Sequence, residues 1–457
     1  MRRVVDTARD VLAHPRWGPV VKGVIVYILI VEVAVQLLFG RVNFLWIDAG
    51  RYEQAVPRGA FIGGAVIGAL YALVAMGLIL VYRANRIINF AQAQLGAVPA
   101  IVALLLIAKH GTPYLIAIPV MLIGAVALGA VTEVVVIRRF SNAPRLILTV
   151  VTIGVSLLLL ILEFYSKQWV GGDLIDAIGL SFPTPFQGFS RRIGPSTLTG
   201  DHLFAIVVVG ILVVALGAFF KLTDIGIAIR ASAENNERAS LLGIPVKRVS
   251  TVVWVVATVL SAVGVFLRVP LVGLPLSGFT GPGILLFGLA VAVIARMESL
   301  PTAFFAGMLI GIIERSAVIA TRRSALANAI MFLVVVIALL AQRGKLARAM
   351  DTGVSSWQNL KEVRPIPIEL RNLREVKLAR TIAAVIVGAL ALSAPWIFGA
   401  FKTSSATLIL LYAMIGVSLV ILTGWAGQIS LGQYAIAGVG SAVAGGLAAN
   451  HGWDFFG

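Results

Sequence analysis

The sequence predicts an all-α fold, a polytopic transmembrane helical bundle of about 12–13 spans built as two parallel repeats, the second incomplete. Three observations lead there. The chain is 59% hydrophobic and only 12% charged, where a soluble domain carries about 25% charged residues. Apolar runs of about 20 residues, the length that crosses a bilayer, recur along most of its length. The stretch 71–97 also returns in form at 412–438.

The runs fall at 20–40, 59–82, 87–108, 114–137, 146–164, 202–221, 250–269, 281–296, 301–320, 325–342, 381–399, 405–424 and 430–449. The first follows Arg2, Arg3, Arg9, Arg16 and Lys22 and lacks a small-residue cleavage site, so it reads as a retained span. With the amino terminus inside, the loops at Arg83/Arg86, Arg138/Arg139/Arg145, Lys221 to Arg248 and Arg343 to Arg380 face the cytoplasm, following the excess of Lys and Arg on that side. Loop 165–201, with equal numbers of each sign, faces out. Arg322 and Arg323 fall outside, against the rule.

The net charge of +17 would suggest nucleic acid in a soluble chain. Here the basic residues sit in short loops between spans, so topology accounts for them and no nucleic-acid partner is expected; the partner in bulk is membrane lipid. With no cysteine, disulfides and thiolate metal sites are excluded. His14, His110, His202 and His451 lie far apart without ligand spacing, so no metal site is expected. The chain contains no G-x-x-x-x-G-K-[ST], G-x-S-x-G or H-E-x-x-H, so neither a phosphate-cradling loop nor a hydrolase motif marks it as an enzyme.

At an offset of 341, "YALVAMGLILVYRANRIINFAQAQLGA" aligns without a gap on "YAMIGVSLVILTGWAGQISLGQYAIAG". Tyr71/Tyr412, Ala72/Ala413, Leu78/Leu419 and Gln92/Gln433 are identical. Each copy is a span, a polar break and a polar-headed span, and both start outside. Same-orientation repeats are a transporter architecture, with the pathway at their interface.

Residues 223–250, "TDIGIAIRASAENNERASLLGIPVKRVS", put Ile225, Ile229, Ala233, Ala239 and Leu242 at helical spacing, with Arg230, Glu234, Glu237 and Arg238 around them. Such a helix can lie on the membrane, enter a partner's groove or simply connect two spans. Glu237-Arg238-Ala239, three residues, then Gly243-Ile244 resembles the E-A-A-x-x-x-G loop of bacterial ABC importer permeases, with Arg in place of the middle Ala. "GALYALVAMGLILVYRANRIINFAQ" and "SLPTAFFAGMLIGIIE" are similar to the first permease subunit of the branched-chain amino acid family, and "LLYAMIGVSLVILTGWAGQISLGQ" to the opening of the second. The family commonly has His where Gln92 and Gln433 stand, and a Gly-rich turn where Ala295-Arg296-Met297-Glu298 stands.

The resemblance implies an ABC importer permease for branched-chain or related amino acids, in a bacterial cytoplasmic membrane. It implies no cofactor in the chain itself: cytoplasmic ABC ATPase subunits bind the ATP and dock on 224–248, at Arg230, Glu234, Glu237, Ala239, Gly243 and Ile244. An external solute-binding protein delivers the amino-acid substrate. The chain then divides into 1–58 with one extra span, a first permease unit 59–343, a cytoplasmic linker 344–380 and the start of a second unit 381–457, read as truncated.

Asn89, Gln92, Gln94, Gln428 and Gln433 are the candidate pathway residues, since polar side chains at lipid depth seek a cavity or a partner. Interhelical hydrogen bonding is the competing reading for each. Glu314 reads as a local ion pair with Arg315 rather than a substrate contact. Glu133 and Glu163, near span ends, are expected to reach the interface. The alternative function is a secondary transporter or channel for small polar solutes. Such carriers place ionisable groups near the midplane, where only Glu32, Glu314 and Arg315 approach it.

Overall fold

The computed structural model describes residues 58–321 and 373–451, except 141–142, 144, 171–181, 183, 187, 194–195, 235, 275–279, 398–399 and 425–431, with isolated helical residues between 329 and 340. The expected span at 20–40, most of the one at 325–342 and most of the linker lie outside the described residues. Two compact units divide the chain, 1–353 and 354–457.

In the first unit, α1 (Arg58–Asn85) is the axis of the bundle. It is apolar around its whole circumference, the pattern of a helix buried on every side, and Leu70 to Ile79 are almost fully enclosed. It packs against α10 (Leu300–Thr321), α8 (Val246–Val272) and α9 (Gly281–Ile294). The second axis is α2 (Gln92–His110), held between α8, α3 (Tyr114–Val131) and α4 (Arg145–Trp169). α3 runs on through a π-helical turn, Thr132–Val136, and a 3-10 turn, Ile137–Phe140. α5 (Gly200–Leu222) follows the expected external loop. α6 (Asp224–Glu234) and α7 (Asn236–Leu241) divide what the sequence reads as one amphipathic stretch.

Lipid tails are as apolar as leucine, so burial of greasy side chains does not itself draw helices together in a membrane; close backbone approach does. Gly64 and Gly68 of α1 face Gly307 and Gly311 of α10, four residues apart on each helix. A Cβ at Gly64 would lie 2.8 Å from Gly311 O, and one at Gly68 or Gly311 would collide with the opposing backbone. Gly96 of α2 meets the Ser261–Ala262 backbone of α8 in the same way. By contrast, Leu115, Ile123, Leu158, Ile211 and Val214, on α3, α4 and α5, are exposed, as befits an outer ring in lipid.

Among the described residues, eight of the thirteen expected runs appear as helices long and apolar enough to cross a membrane, while 281–296 and 430–449 appear as shorter apolar helices and 381–399 is not among the eight. Helix α9 has 14 residues, short of the roughly 20 that cross a bilayer; the 281–296 run is therefore not a full-length span. Loop 165–201 contains a hairpin, β1 (Ser190–Ile193) antiparallel to β2 (Ser196–Thr199) with Ser190 opposite Thr199. In the second unit, α11 (Arg374–Ile397) begins inside the expected linker, because the charged turn from Arg374 to Arg380 continues straight into the apolar run. The turn at Ala295–Glu298 holds Arg296 and Met297 at φ 57° and 55°, left-handed backbone that glycine adopts freely and other residues seldom do.

Among the described residues, eight helices are long and apolar enough to cross a membrane. The second unit continues with α12 (Ala400–Gly424) and α13 (Gln433–His451), packed in sequence order. Helix α13 starts at Gln433 and α2 at Gln92, so the offset of 341 holds for both helix starts.

The backbone contact between α1 and α10 gives a direct test. Gly68→Ala or Gly311→Ala should lower stability in detergent by about 2–3 kcal/mol, the range for overpacking a close contact. Gly217→Ala, where an added Cβ meets nothing within 4 Å, should be neutral in the same thermal unfolding measurement.

Candidate functional site

The polar cassette occupies a break in the membrane-spanning path. α1 ends at Asn85 and α2 starts at Gln92; Arg86 N still bonds Tyr82 O and Ala91 O still accepts from Leu95 N, and between them 87–90 runs inward outside either helix. Backbone groups left unpaired at this depth each cost several kcal/mol, and side chains supply partners. Asn89 Oδ1 accepts from Ala91 N at 3.0 Å, and Phe90 N donates to Thr152 Oγ1 at 3.1 Å. Gln92 Nε2 donates to Ala257 O at 2.8 Å and to Ser261 Oγ at 2.7 Å on α8, while its Oε1 accepts from Asn89 Nδ2 at 3.0 Å. Gly77 of α1 leaves the space through which this side chain passes. Asn89 and Gln92 are thus brought together, enclosed, and tied to α8.

Gln94 points elsewhere. Its Nε2 donates to the Glu163 carboxylate, whose other oxygen accepts from Thr280 N at 3.1 Å at the start of α9. Glu163 does not reach the interface as the sequence suggests: it is enclosed, because it caps the positive N-terminal end of α9. Gln94 Oε1 and Thr280 Oγ1 are buried beside it without a hydrogen-bond partner. Glu133 is also buried, and accepts from Arg138 Nη2 and Thr251 Oγ1, both at 2.8 Å. In the second unit Gln433 is half-buried and donates to Ser418 Oγ at 2.9 Å. Ser418 stands in α12 where Gly77 stands in α1, at the same offset. Gln428 lies outside the described residues.

The loop residues divide by exposure. Thr223 caps α6, its Oγ1 accepting from Gly226 N at 3.0 Å. Ile229, Ala233 and Ala239 are buried, Ile244 is half-buried against the core, and Arg230, Glu234, Arg238 and Gly243 are exposed. The Glu237 side chain lies outside the described residues, though its backbone belongs to α7. Ile244 N donates to Ala239 O at 3.1 Å and Gly243 N to Ser240 O at 3.0 Å, with Gly243 at φ 84°. That is a Schellman cap, and its left-handed residue is best supplied by glycine. Leu241 and Leu242, at 86% and 81% exposure, stand at its tip.

One bond joins the loop to the break. Arg86 Nη2 donates to Ala233 O at 3.1 Å, in the last turn of α6. The opposite end of α1 carries the hairpin and the start of α5, where the His202 ring approaches Gly63.

Glu314 does not pair with Arg315. Neighbours in a helix point about 100° apart; Arg315 is exposed, while Glu314 turns toward Tyr71 and Arg268. Sequence reasoning passed over Arg268, a lone charge inside the 250–269 run, although an intramembrane ionisable residue is itself a signal of function. Among the described residues, no three His, Asp or Glu side chains gather into a metal-binding group.

The model of the family "Branched-chain amino acid transport system / permease component" matches residues 60–339. The high-affinity branched-chain amino acid transport system permease protein LivH of Salmonella typhimurium is 30% identical over 262 residues, covering 55% of this chain and 82% of its own. BraD of Pseudomonas aeruginosa is 28% identical, covering 55% and 83%. The probable branched-chain amino acid transport permease protein LivH of Methanocaldococcus jannaschii is 29% identical, covering 55% and 78%.

Replacing Gln92 by Leu strands Asn89 Nδ2 and Ser261 Oγ in the interior. Gln92→Leu should cost about 2–3 kcal/mol, the penalty for buried unpaired polar groups, and Gln433→Leu about 1 kcal/mol for one half-buried bond. Thermal unfolding in detergent, read beside transport per folded molecule, separates interhelical bonding from a pathway role.

Proposed function

The chain belongs to the permease component family of branched-chain amino acid transport systems, and we propose that its own cargo is a branched-chain or closely related amino acid. It is a multi-pass membrane protein and the permease subunit of an ABC importer. In this reading the membrane is the bacterial cytoplasmic membrane. The chain binds no ATP; separate cytoplasmic ATPase subunits do, and an external solute-binding protein delivers cargo at the hairpin end. Residues 59–343 form the first permease unit, and 381–457 open a second.

The observation that carries the coupling part is the link from α7 to the polar break. Leu241, Leu242 and Gly243 form an exposed apolar tip suited to a groove on the ATPase. A push on that tip moves α6, and Arg86 transfers the movement from Ala233 O to the break that starts α2. Arg230, Glu234 and Glu237 supply polar contacts around the tip, while Ala239 and Ile244 anchor it to the bundle. Within the cassette, Gln94 is the proposed pathway contact in this unit, because its Oε1 is unspent. Asn89 and Gln92 act through their hold on α8. Gln433 holds the Gln92 position of the second unit, and Gln428 is the further pathway residue proposed there, five positions before it.

Gly243 and Gly111 make the decisive comparison. Both are left-handed, at φ 84° and 61°, and an added Cβ at either meets nothing within 4 Å. They lie at opposite ends of the bundle. Asp tolerates this backbone better than most residues, so both variants should fold. We expect Gly243→Asp to abolish ATP-driven L-leucine uptake and release the ATPase subunits on purification, and Gly111→Asp to retain both. Undiminished uptake in Gly243→Asp would remove α7 from the coupling path.

A further inference from the structure

One set of charged groups within the membrane-spanning part has no role in the account so far. Tyr71 of α1, Arg268 of α8 and Glu314 of α10 converge on the hairpin side of Ala257 and Ser261, the α8 groups that bind Gln92. The Arg268 guanidinium lies 5.9 Å from the centre of the Tyr71 ring, and Glu314 interacts electrostatically with both. Tyr71 Oη, Arg268 Nε and Glu314 Oε2 are buried, and the Tyr71 hydroxyl approaches both Arg268 and Glu314 without a hydrogen bond closing to either. No ion pair joins Arg268 to Glu314, whereas Arg138 and Glu133 close one at 2.8 Å.

That contrast is informative. Where this protein uses opposite charges for structure, they close: the Glu133 carboxylate meets Arg138 and Thr251 at 2.8 Å. Opposite charges at membrane depth attract strongly, since little solvent screens them. The Arg268 group is held open by the packing beneath it. Gly264, one turn before Arg268, brings α8 against Leu70 O, beside Tyr71. The glycine contact between α1 and α10 fixes the separation of Tyr71 and Glu314. Tyr71 is also stacked on Phe287 of α9, 4.7 Å between ring centres and 13° between planes, which restrains its ring.

A fixed cation and a fixed anion held apart around a phenol hydroxyl match a ligand carrying both charges a few ångströms apart. We infer that Arg268 and Glu314 bind the α-carboxylate and α-ammonium of the transported amino acid, with the Tyr71 hydroxyl hydrogen-bonding between them. The guanidinium fork suits a carboxylate. Arg268 and Glu314 are half-buried and Tyr71 is enclosed, so the ligand meets the two charged side chains at their open edges and reaches the hydroxyl as the helices part. Arg315 and His202, which interact electrostatically with each other, continue the polar line toward Asp201 at the hairpin end. This assignment rests on the proposal that the cargo is an amino acid.

The test uses the full chain assembled with its partner subunits and purified in detergent. Thermal stabilisation is titrated with L-leucine, with isoamylamine (the ammonium alone) and with 4-methylpentanoate (the carboxylate alone), beside ATP-driven uptake of L-leucine. Wild type should respond to L-leucine at a concentration about tenfold or more below either half-ligand, as expected when two charged hydrogen-bonding groups act together. Arg268→Gln should lose the response to 4-methylpentanoate and keep that to isoamylamine; Glu314→Gln should do the reverse. Arg268→Lys keeps the charge without the fork, guarding against a variant that does not assemble, and should shift the L-leucine midpoint about tenfold. Import of L-leucine by wild type, with Arg268→Lys and Glu314→Gln matching it for all three probes, would overturn the assignment while leaving the cargo intact. A wild-type assembly that imports no branched-chain amino acid would defeat the cargo proposal, and this assignment with it.

Discussion

The contact on which the rest depends is backbone against backbone, Gly64 and Gly68 of α1 on Gly307 and Gly311 of α10. In lipid, helices gain little from hiding apolar side chains from one another, so van der Waals contact at close range must hold them. With α10 seated this deeply, α1 is enclosed along its middle, and α8 and α9 pack on its remaining faces. Every functional element is then referred to α1. Its two ends carry the hairpin and α6, and its C-terminal end leads into the polar break.

The break is the second constraint. Stopping a helix at Asn85 and restarting it at Gln92 exposes backbone groups that lipid cannot satisfy, so protein groups must come to them. Thr152 of α4 takes the Phe90 N–H and Asn89 the Ala91 N–H, while the Gln92 side chain ties the break to Ala257 and Ser261 of α8. The short α9 creates the same difficulty at Thr280, and Glu163 meets it. A carboxylate at a helix N-terminus is favoured by the dipole it faces. These polar contacts join α2, α4, α8 and α9, so a displacement of α6 passed through Arg86 has a connected network to act on.

The spans were largely legible, because an apolar run flanked by basic loops has few other physical meanings. Gln92 and Gln433 stood out as polar heads on apolar helices, and the shared offset of 341 carried through to helix starts. The partners of these residues did not. Gln94 and Glu163 are 69 positions apart, and their pairing follows from how α2 and α4 cross. Arg268 was passed over because one charge in a run of valines and leucines hardly changes its apolar character. The motifs "GGAVIG" and "GMLIG" were readable as small-residue faces, but the sequence alone does not say that they meet. The hairpin carried a signal: in "RRIGPSTLT" a Gly-Pro pair stands between short alternating segments. The pattern alone does not show why glycine stands at 243; its open surroundings and φ of 84° show that it serves the turn after α7.

The central claim is that this chain opens a path for an amino acid under the control of ATP hydrolysed elsewhere. Proteoliposomes holding the chain with its ATPase and solute-binding partners test it most directly. Accumulation of labelled L-leucine is compared with ATP or a non-hydrolysable analogue at the ATPase face, and with ionophores that collapse ion gradients. The account predicts accumulation with ATP alone, unaffected by ionophores. Accumulation that persists with the analogue and vanishes with ionophores would identify an ion-coupled carrier and contradict it.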